Sequence, residues 1–350
     1  MLSDGEGGEA AVGGQLGPEW PPRDGDRPGN QNPSSFLPSP PRLSIVQLEM
    51  KNLELLHHFT TATYATLSMD EDLREIWRLV VPRIAFSYEF VMHAVLAMSA
   101  LHLSVLKPTD KSYSLTAAGH HVKALGSLRT AFPAQHPRHA EAIYAASSLT
   151  ARYVYACPPV VGDNLPKAPS CIPALRGVTA VIYRCWKWVS EGDLSLLLLR
   201  KKVDENRYAG EDTEFPSSLF DLSRRGAPGE LDPEELEDDH VLGVYSEATE
   251  ALKLSWDQFW EFDPREAATF KWPCTASDDF VRFLGDQRPR ALVLLAHHCA
   301  MVELLDDRFW WAKDGGMKEI TRIQGVLEEK WKHWLDWPIE RCKKNSNGAG

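Results

Sequence analysis

The stretch YEFVMHAVLAMSALHLSVL, residues 88–106, is apolar on nearly every helical face. A helix without a polar stripe has to be covered all round, so it belongs at the centre of a bundle. Ser87 is its expected N-cap and Pro108 stops it. The rest of the chain, from Leu43 onward, shows helical periodicity with no alternating strand pattern and no internal repeat. The expected fold class is therefore all-α, a multi-helix bundle.

A first helix is expected over about 44–66, with Leu48, Leu55, Leu56, Phe59 and Tyr64 facing inward. A short second one opens at Asp70 or Met69, carries Leu73, Ile76 and Trp77, and ends or kinks at Pro82. Further helices are expected at about 110–131, 138–156, 171–190, 233–262, 289–306 and 317–335. The segment from Val203 to Asp232 mixes charge, Gly and Pro and is long enough to be mobile or to form a lid. The acidic run at 230–239 is expected to be a solvated helix N-terminus, favoured by the macrodipole. Residues 1–42 are rich in Gly and Pro and poor in large apolar side chains, the composition of a disordered tail. The expected organisation is that tail, a helical regulatory and ligand-binding domain over 43–340, and a flexible C-terminal tail over 341–350.

Composition removes several function classes. With 43% apolar residues, 25% charged residues and a net charge of −11, the chain of 350 residues is ordinary for a globular protein. Its acidic balance argues against nucleic-acid binding by the chain as a whole. No stretch approaches the ~18 uninterrupted apolar residues of a membrane span, and the N-terminus lacks a signal-peptide pattern. The cysteines, at 157, 171, 185, 274, 299 and 342, include no C-x₂-C pair, so neither a zinc module nor any other metal site is expected. No cofactor is expected either.

Recognisable catalytic motifs are missing: no G-x-S-x-G, P-loop, G-x-G-x-x-G or H-E-x-x-H occurs. Three His-His pairs (His57 and His58, His120 and His121, His297 and His298) cannot each place both rings on one helix face, since adjacent residues point about 100° apart. Histidines satisfied beside a core are the expected outcome. Asp306 and Asp307 open an acidic sequence whose third carboxylate position is taken by Trp310, which spoils a magnesium motif. Eleven of the twelve tryptophans lie beyond the tail, with Trp331, Trp334 and Trp337 spaced by three. Such rings, with Met92, Met98 and Met301, suit either a dense core or an apolar cavity.

Four segments carry a resemblance: LELLHHFTTATYATLS (53–68), IWRLVVPRIAFSYEFVMHAVLAMSALHL (76–103), RPRALVLLAHHCAMVELLDDRFWW (288–311) and KWKHWLDWP (330–338). In order and spacing they resemble the C-terminal regulatory domain of fungal binuclear zinc-cluster transcription factors, the sterol uptake control regulators above all, over about residues 44–340. The resemblance implies an all-helical domain that holds an apolar ligand and controls activation and nuclear entry. It implies a pocket near Tyr64, Phe86, His93, Met98, His102, His298, Trp310 and Trp311. No six-cysteine cluster precedes Leu43, so no direct DNA binding by this polypeptide is expected.

Two readings follow. The first is a transcription-factor-like regulator that binds a small apolar molecule, sterol-like or terpenoid-like, or a protein partner. It would work in the nucleus or the cytoplasm, with a DNA-binding partner protein, with self-association through exposed apolar helix faces as a homodimer, and without turnover. The second is an enzyme of fungal secondary metabolism that uses the same cavity for a cyclisation or rearrangement, with His93, His102, His298, Asp306 and Asp307 as candidate catalytic groups. A cavity with only apolar walls favours the first, and polar groups converging inside it favour the second.

Overall fold

The computed structural model describes residues 45–131, 137–157, 185–199, 201–204, 208, 212–305 and 309–348. The expected tail over 1–42 lies outside these residues, as do Asp306 and Asp307 and most of the helix expected over 171–190. Among the described residues the chain is all-α, with one exception. Two-residue strands β1 (Lys201–Lys202) and β2 (Phe262–Asp263) pair antiparallel, Lys201 opposite Asp263.

The N-terminal half is built round the apolar stretch singled out above. Helix α1 (Ile45–Thr61) leads through a 3₁₀ turn (Thr63–Thr66) to α2 (Glu71–Glu75), whose N-cap is Asp70, accepting from the amides of Asp72 and Leu73. Pro82 does not end this helix. A π-helical turn (Ile76–Val80) precedes α3 (Val81–Ala85), and Pro82 sits in the first turn of α3, where a missing N–H costs least. Helix α4 (Glu89–Leu106) then starts from Tyr88 and not from Ser87. The Tyr88 backbone is extended, and its hydroxyl donates to the Arg138 carbonyl at 2.6 Å.

Helix α4 is covered by α1, α3, α5 (Lys111–Ala131) and α6 (Pro137–Ala156). Its residues from Ala94 to Leu103 are all buried, and the Ser99 hydroxyl is spent on the Leu55 carbonyl at 2.6 Å. By length and composition α4 could cross a membrane, although its polar residues interrupt any strictly apolar run, and two thirds of it is buried inside the protein. Its cover is itself incomplete in polarity: Met50 and Leu53 on α1 and Leu115 and Val122 on α5 are exposed.

The C-terminal half repeats the arrangement. Helix α7 (Asp239–Glu261), α8 (Arg265–Thr275) and α9 (Asp278–Gly285) surround α10 (Pro289–Glu303), in which every residue from Arg290 to Glu303 is buried. Then come α11 (Gly315–Val326), a 3₁₀ helix (Glu329–Leu335) and α12 (Asp336–Gly348). Three-residue turns put Trp331 and Trp334 on one face, and Trp331 is fully buried. Helix α12 runs past residue 341, the expected start of a flexible tail, and buries Arg341 and Cys342.

The expected lid is not free where it is described. Phe215, Leu219 and Leu222 are buried, the last two in a 3₁₀ helix (Ser217–Ser223). The buried Arg290 guanidinium donates to the Leu222, Leu231 and Asp232 carbonyls and to Glu235. The acidic run is correspondingly less solvated than expected. Glu235 takes Arg290 and the Tyr245 hydroxyl, and Asp232 takes Lys330 and the Trp331 N–H, while Asp238 caps α7, which starts at Asp239 and not near 233.

Candidate functional site: two cavities on either side of an aromatic wall

The larger cavity, about 710 Å³, lies between α6, α8, the π turn and the 3₁₀ turn Ser195–Leu198. That is well inside the range of about 300–1,000 Å³ found for small-molecule sites. Leu73, Trp77, Ala151, Leu197, Leu198, Ala267 and Phe270 supply an apolar wall, and the exposed Trp186 and Leu199 stand at its mouth. The wall exists because α6 and α8 place small residues, Ala151 and Ala267, where larger side chains would fill the gap.

One part of the lining is polar. Arg152 and Ser148 on α6, Tyr144 one turn earlier, Ser68 before α2 and Glu266 on α8 all line this cavity. Arg152 is 9% exposed. Its guanidinium donates to the Ser148 carbonyl at 3.2 Å and lies over the rings of Trp77 (5.0 Å) and Phe270 (5.4 Å), while its Nε–H has no partner. Burial pushes the Glu266 carboxyl up to about 7, against the opposing pull of the Arg152 charge and a hydrogen bond from Ser68. Burial likewise raises the Tyr144 hydroxyl, so it stays neutral. The Trp77 indole N–H is buried without a partner.

The smaller cavity, about 300 Å³, lies between α6, α10 and the start of α11. His298, Trp310, Tyr155, Cys157, Cys299 and Glu319 are among its lining residues. Burial drives His298 down to about 3, so the ring is neutral; its Nε2 lies 3.3 Å from the Tyr155 hydroxyl and its Nδ1 has no partner. The thiol of Cys157 is raised by burial and is a poor nucleophile. Tyr155 and Phe270, one on each cavity, meet at 5.3 Å between ring centres, and both touch Trp311 (6.4 and 5.7 Å). These three rings form a wall between the cavities.

Of the residues expected to bind ligand, His298 and Trp310 line the smaller cavity and none lines the larger one. Trp310 also stacks on His102 at 4.8 Å and donates to the Thr66 hydroxyl at 2.8 Å, and His102 Nδ1 lies 3.1 Å from the Thr63 hydroxyl. His102 is thus a structural ring beside the cavity, held neutral at about 4 by burial and the neighbouring His58. Trp311 is in the wall. Tyr64 sits under Arg78 at 5.5 Å, Met98 is fully buried in α4, and Phe86 is 72% exposed. His93 faces His120 across 2.9 Å between their Nδ1 atoms, away from both cavities. His93, His102 and His298 therefore do not converge on one point.

The sequence reading missed Arg152, Glu266, Tyr144, Ser148 and Phe270. One signal was present: Arg152 is a lone cation in the apolar second half of α6, AIYAASSLTARYVYA. Glu266 carries no such mark in its own segment. Among the described residues no group of three His, Cys, Asp or Glu side chains gathers to hold a metal.

With this geometry in hand, the relatives are informative. Residues 54–155, from α1 to α6, match the fungal specific transcription factor domain. The chain is 27% identical over 312 residues to a Zn(2)-C6 fungal-type transcription factor of Gibberella zeae, covering 83% of this chain and 61% of the relative. It is 28% identical over 260 residues to the Zn(2)-C6 fungal-type transcription factor afumD of Aspergillus fumigatus, covering 70% and 66%. It is 38% identical over 85 residues to sterol uptake control protein 2 of Saccharomyces cerevisiae, covering 24% and 9%. The chain thus spans less than two thirds of the length of these relatives. The similarity is to fungal transcription factors, with the domain match confined to residues 54–155.

Proposed function

We propose that the chain regulates transcription in the nucleus, and that its larger cavity binds a small, largely apolar molecule of sterol or terpenoid type. The observation that carries this reading is the 710 Å³ cavity itself, walled by Leu73, Trp77, Leu197, Leu198 and Phe270 and built partly from the matched domain. Burying such a ligand contributes roughly 25 cal/mol per Å² of apolar area before ordering costs are subtracted. DNA is contacted by a module other than this helical domain, or by a partner protein. The acidic balance of the chain supports this, with a net charge of −11.

Native mass spectrometry of the full chain purified from a fungal host, followed by solvent extraction, tests the reading. Recovery of an intact lipid-like compound, unchanged on incubation, is the expected result. A protein that carries none, and whose melting temperature no sterol or terpenoid shifts, overturns it. A second reading rests on Glu266, a buried acid that titrates near neutral pH inside a cavity and so can give or take a proton. Under that reading an added precursor is converted to a new product, and Glu266→Gln abolishes the conversion.

A further inference from the structure

We propose that the larger cavity selects an amphipathic carboxylic acid, whose carboxylate pairs with Arg152 opposite Glu266 while its hydrocarbon body lies against Trp77, Phe270, Leu197 and Leu198. The proposal rests on the ligand-binding reading above and names the ligand's head group. Arg152 is a buried cation whose faces are occupied by two rings, so its edge is held in one orientation. Among the described residues its side-chain neighbour of opposite sign in the cavity is Glu266, and its Nε–H has no partner. A guanidinium edge matches a carboxylate with two parallel hydrogen bonds, which an alcohol cannot supply. The apolar wall and the mouth at Trp186 and Leu199 leave room for a bulky body leading away from that edge.

Glu266 sets the charge count. When it is ionised it neutralises Arg152, and a second carboxylate entering the site is repelled. When it is protonated, the site is cationic and the Glu266 hydroxyl can donate to the incoming carboxylate. Above pH 7, where Glu266 is ionised in the empty site, binding of an acid therefore takes up a proton there. The groups facing Glu266 are Arg152, Tyr144 and Ser148 from α6, Ser68 and Asp70 from the segment before α2, Asp263 from β2, and Arg265, Lys271 and Cys274 from its own helix. Asp70 is held by Lys201 at 2.8 Å, and Lys271 donates to Gln258 at 3.0 Å. With the Glu266 carboxyl at about 7, acid affinity falls about tenfold between pH 6 and pH 8, and alcohol affinity does not.

The test uses the full chain and two matched probe pairs, oleic acid with oleyl alcohol and abietic acid with abietyl alcohol, titrated by calorimetry at pH 6 and pH 8. The linear and tricyclic pairs distinguish a fatty acid from a terpenoid acid. The expected result is that one acid binds about ten- to a hundredfold tighter than its alcohol at pH 6. Arg152→Met removes that preference, Lys271→Met keeps it, and Glu266→Gln keeps it while abolishing the pH dependence. If Arg152→Met does not fold, the wild-type preference of acid over alcohol and its slope with pH still decide. Equal binding of acid and alcohol, or a preference that survives Arg152→Met, overturns the head-group assignment and leaves the ligand-binding reading intact. Binding of none of the four probes also overturns the assignment, while the extraction experiment decides the broader reading separately.

Discussion

The two cavities share an aromatic wall and differ in what burial does to their titratable group. In the larger one, burial favours the protonated form of an acid, Glu266, and in the smaller one it favours the neutral form of a base, His298. Their stability contributions therefore run in opposite directions with pH. Glu266 has a folded pKa above its ordinary value, so its favourable contribution is complete below about 4.5 and is lost as pH rises to about 7. His298 has a folded pKa below its ordinary value, so its contribution is complete above 6.5 and is lost as pH falls toward about 3. A polar group in a cavity is informative for what it becomes there and less for its identity.

The comparison can be broken in four ways. The largest effect is expected from Glu266→Gln, which removes the alkaline penalty: denaturation at pH 8 should show a gain of about 3 kcal/mol relative to its effect at pH 4. A variant equally affected at both pH values would mean that Glu266 titrates normally. His298→Gln should flatten the acid limb, so that going from pH 7 to pH 4.5 costs the variant roughly 2–3 kcal/mol less than it costs the wild type. Guanidinium denaturation series at the two pH values measure this.

Gly316→Ala comes next. A Cβ there would overlap the Cys299 carbonyl oxygen and lie 2.8 Å from Glu303 Oε2, so α11 must move off α10. A loss of about 2 kcal/mol is expected, with a smaller His298 cavity and an unchanged Arg152 cavity. A calorimetric melt giving no loss would show that the two helices are not closely apposed. Thr66→Val should cost about 1 kcal/mol, because the Trp310 N–H loses its acceptor. The Trp310 fluorescence environment should shift in that variant without a change in the larger cavity.

Much of the fold was legible. The apolarity of 88–106 on nearly every helical face required a central helix, and α10, expected only as a further helix at about 289–306, turned out to be the buried centre of the second half. Helices α5 and α6 lie within a residue or so of the expected ranges. Of the helices that were missed, α9 has only eight residues, too few for its amphipathic pattern to repeat, while α8 and α12 mix charge with aromatic residues. Pro82 and Pro273 both lie in helices: Pro82 sits in the first turn of α3, where a missing N–H costs least, and Pro273 lies within α8, two residues before its end.

The site was legible only where one local segment built it. His298 and Trp310 stand in the same aromatic stretch, and they do share a cavity. The larger cavity draws Ser68, Trp77, Arg152, Leu198 and Glu266 from segments far apart in the chain. Neither Arg152 nor Glu266 has a sequence neighbour that announces the other.

The sequence alone determined that the described residues are helical and that the stretch 88–106 lies at a centre of the packing. These follow from periodicity and composition, which are local properties. Only the tertiary structure decided where space was left unfilled and which charges share it. A cavity is the remainder after every helix has packed, and the pKa of a buried group depends on neighbours that the chain order does not bring together.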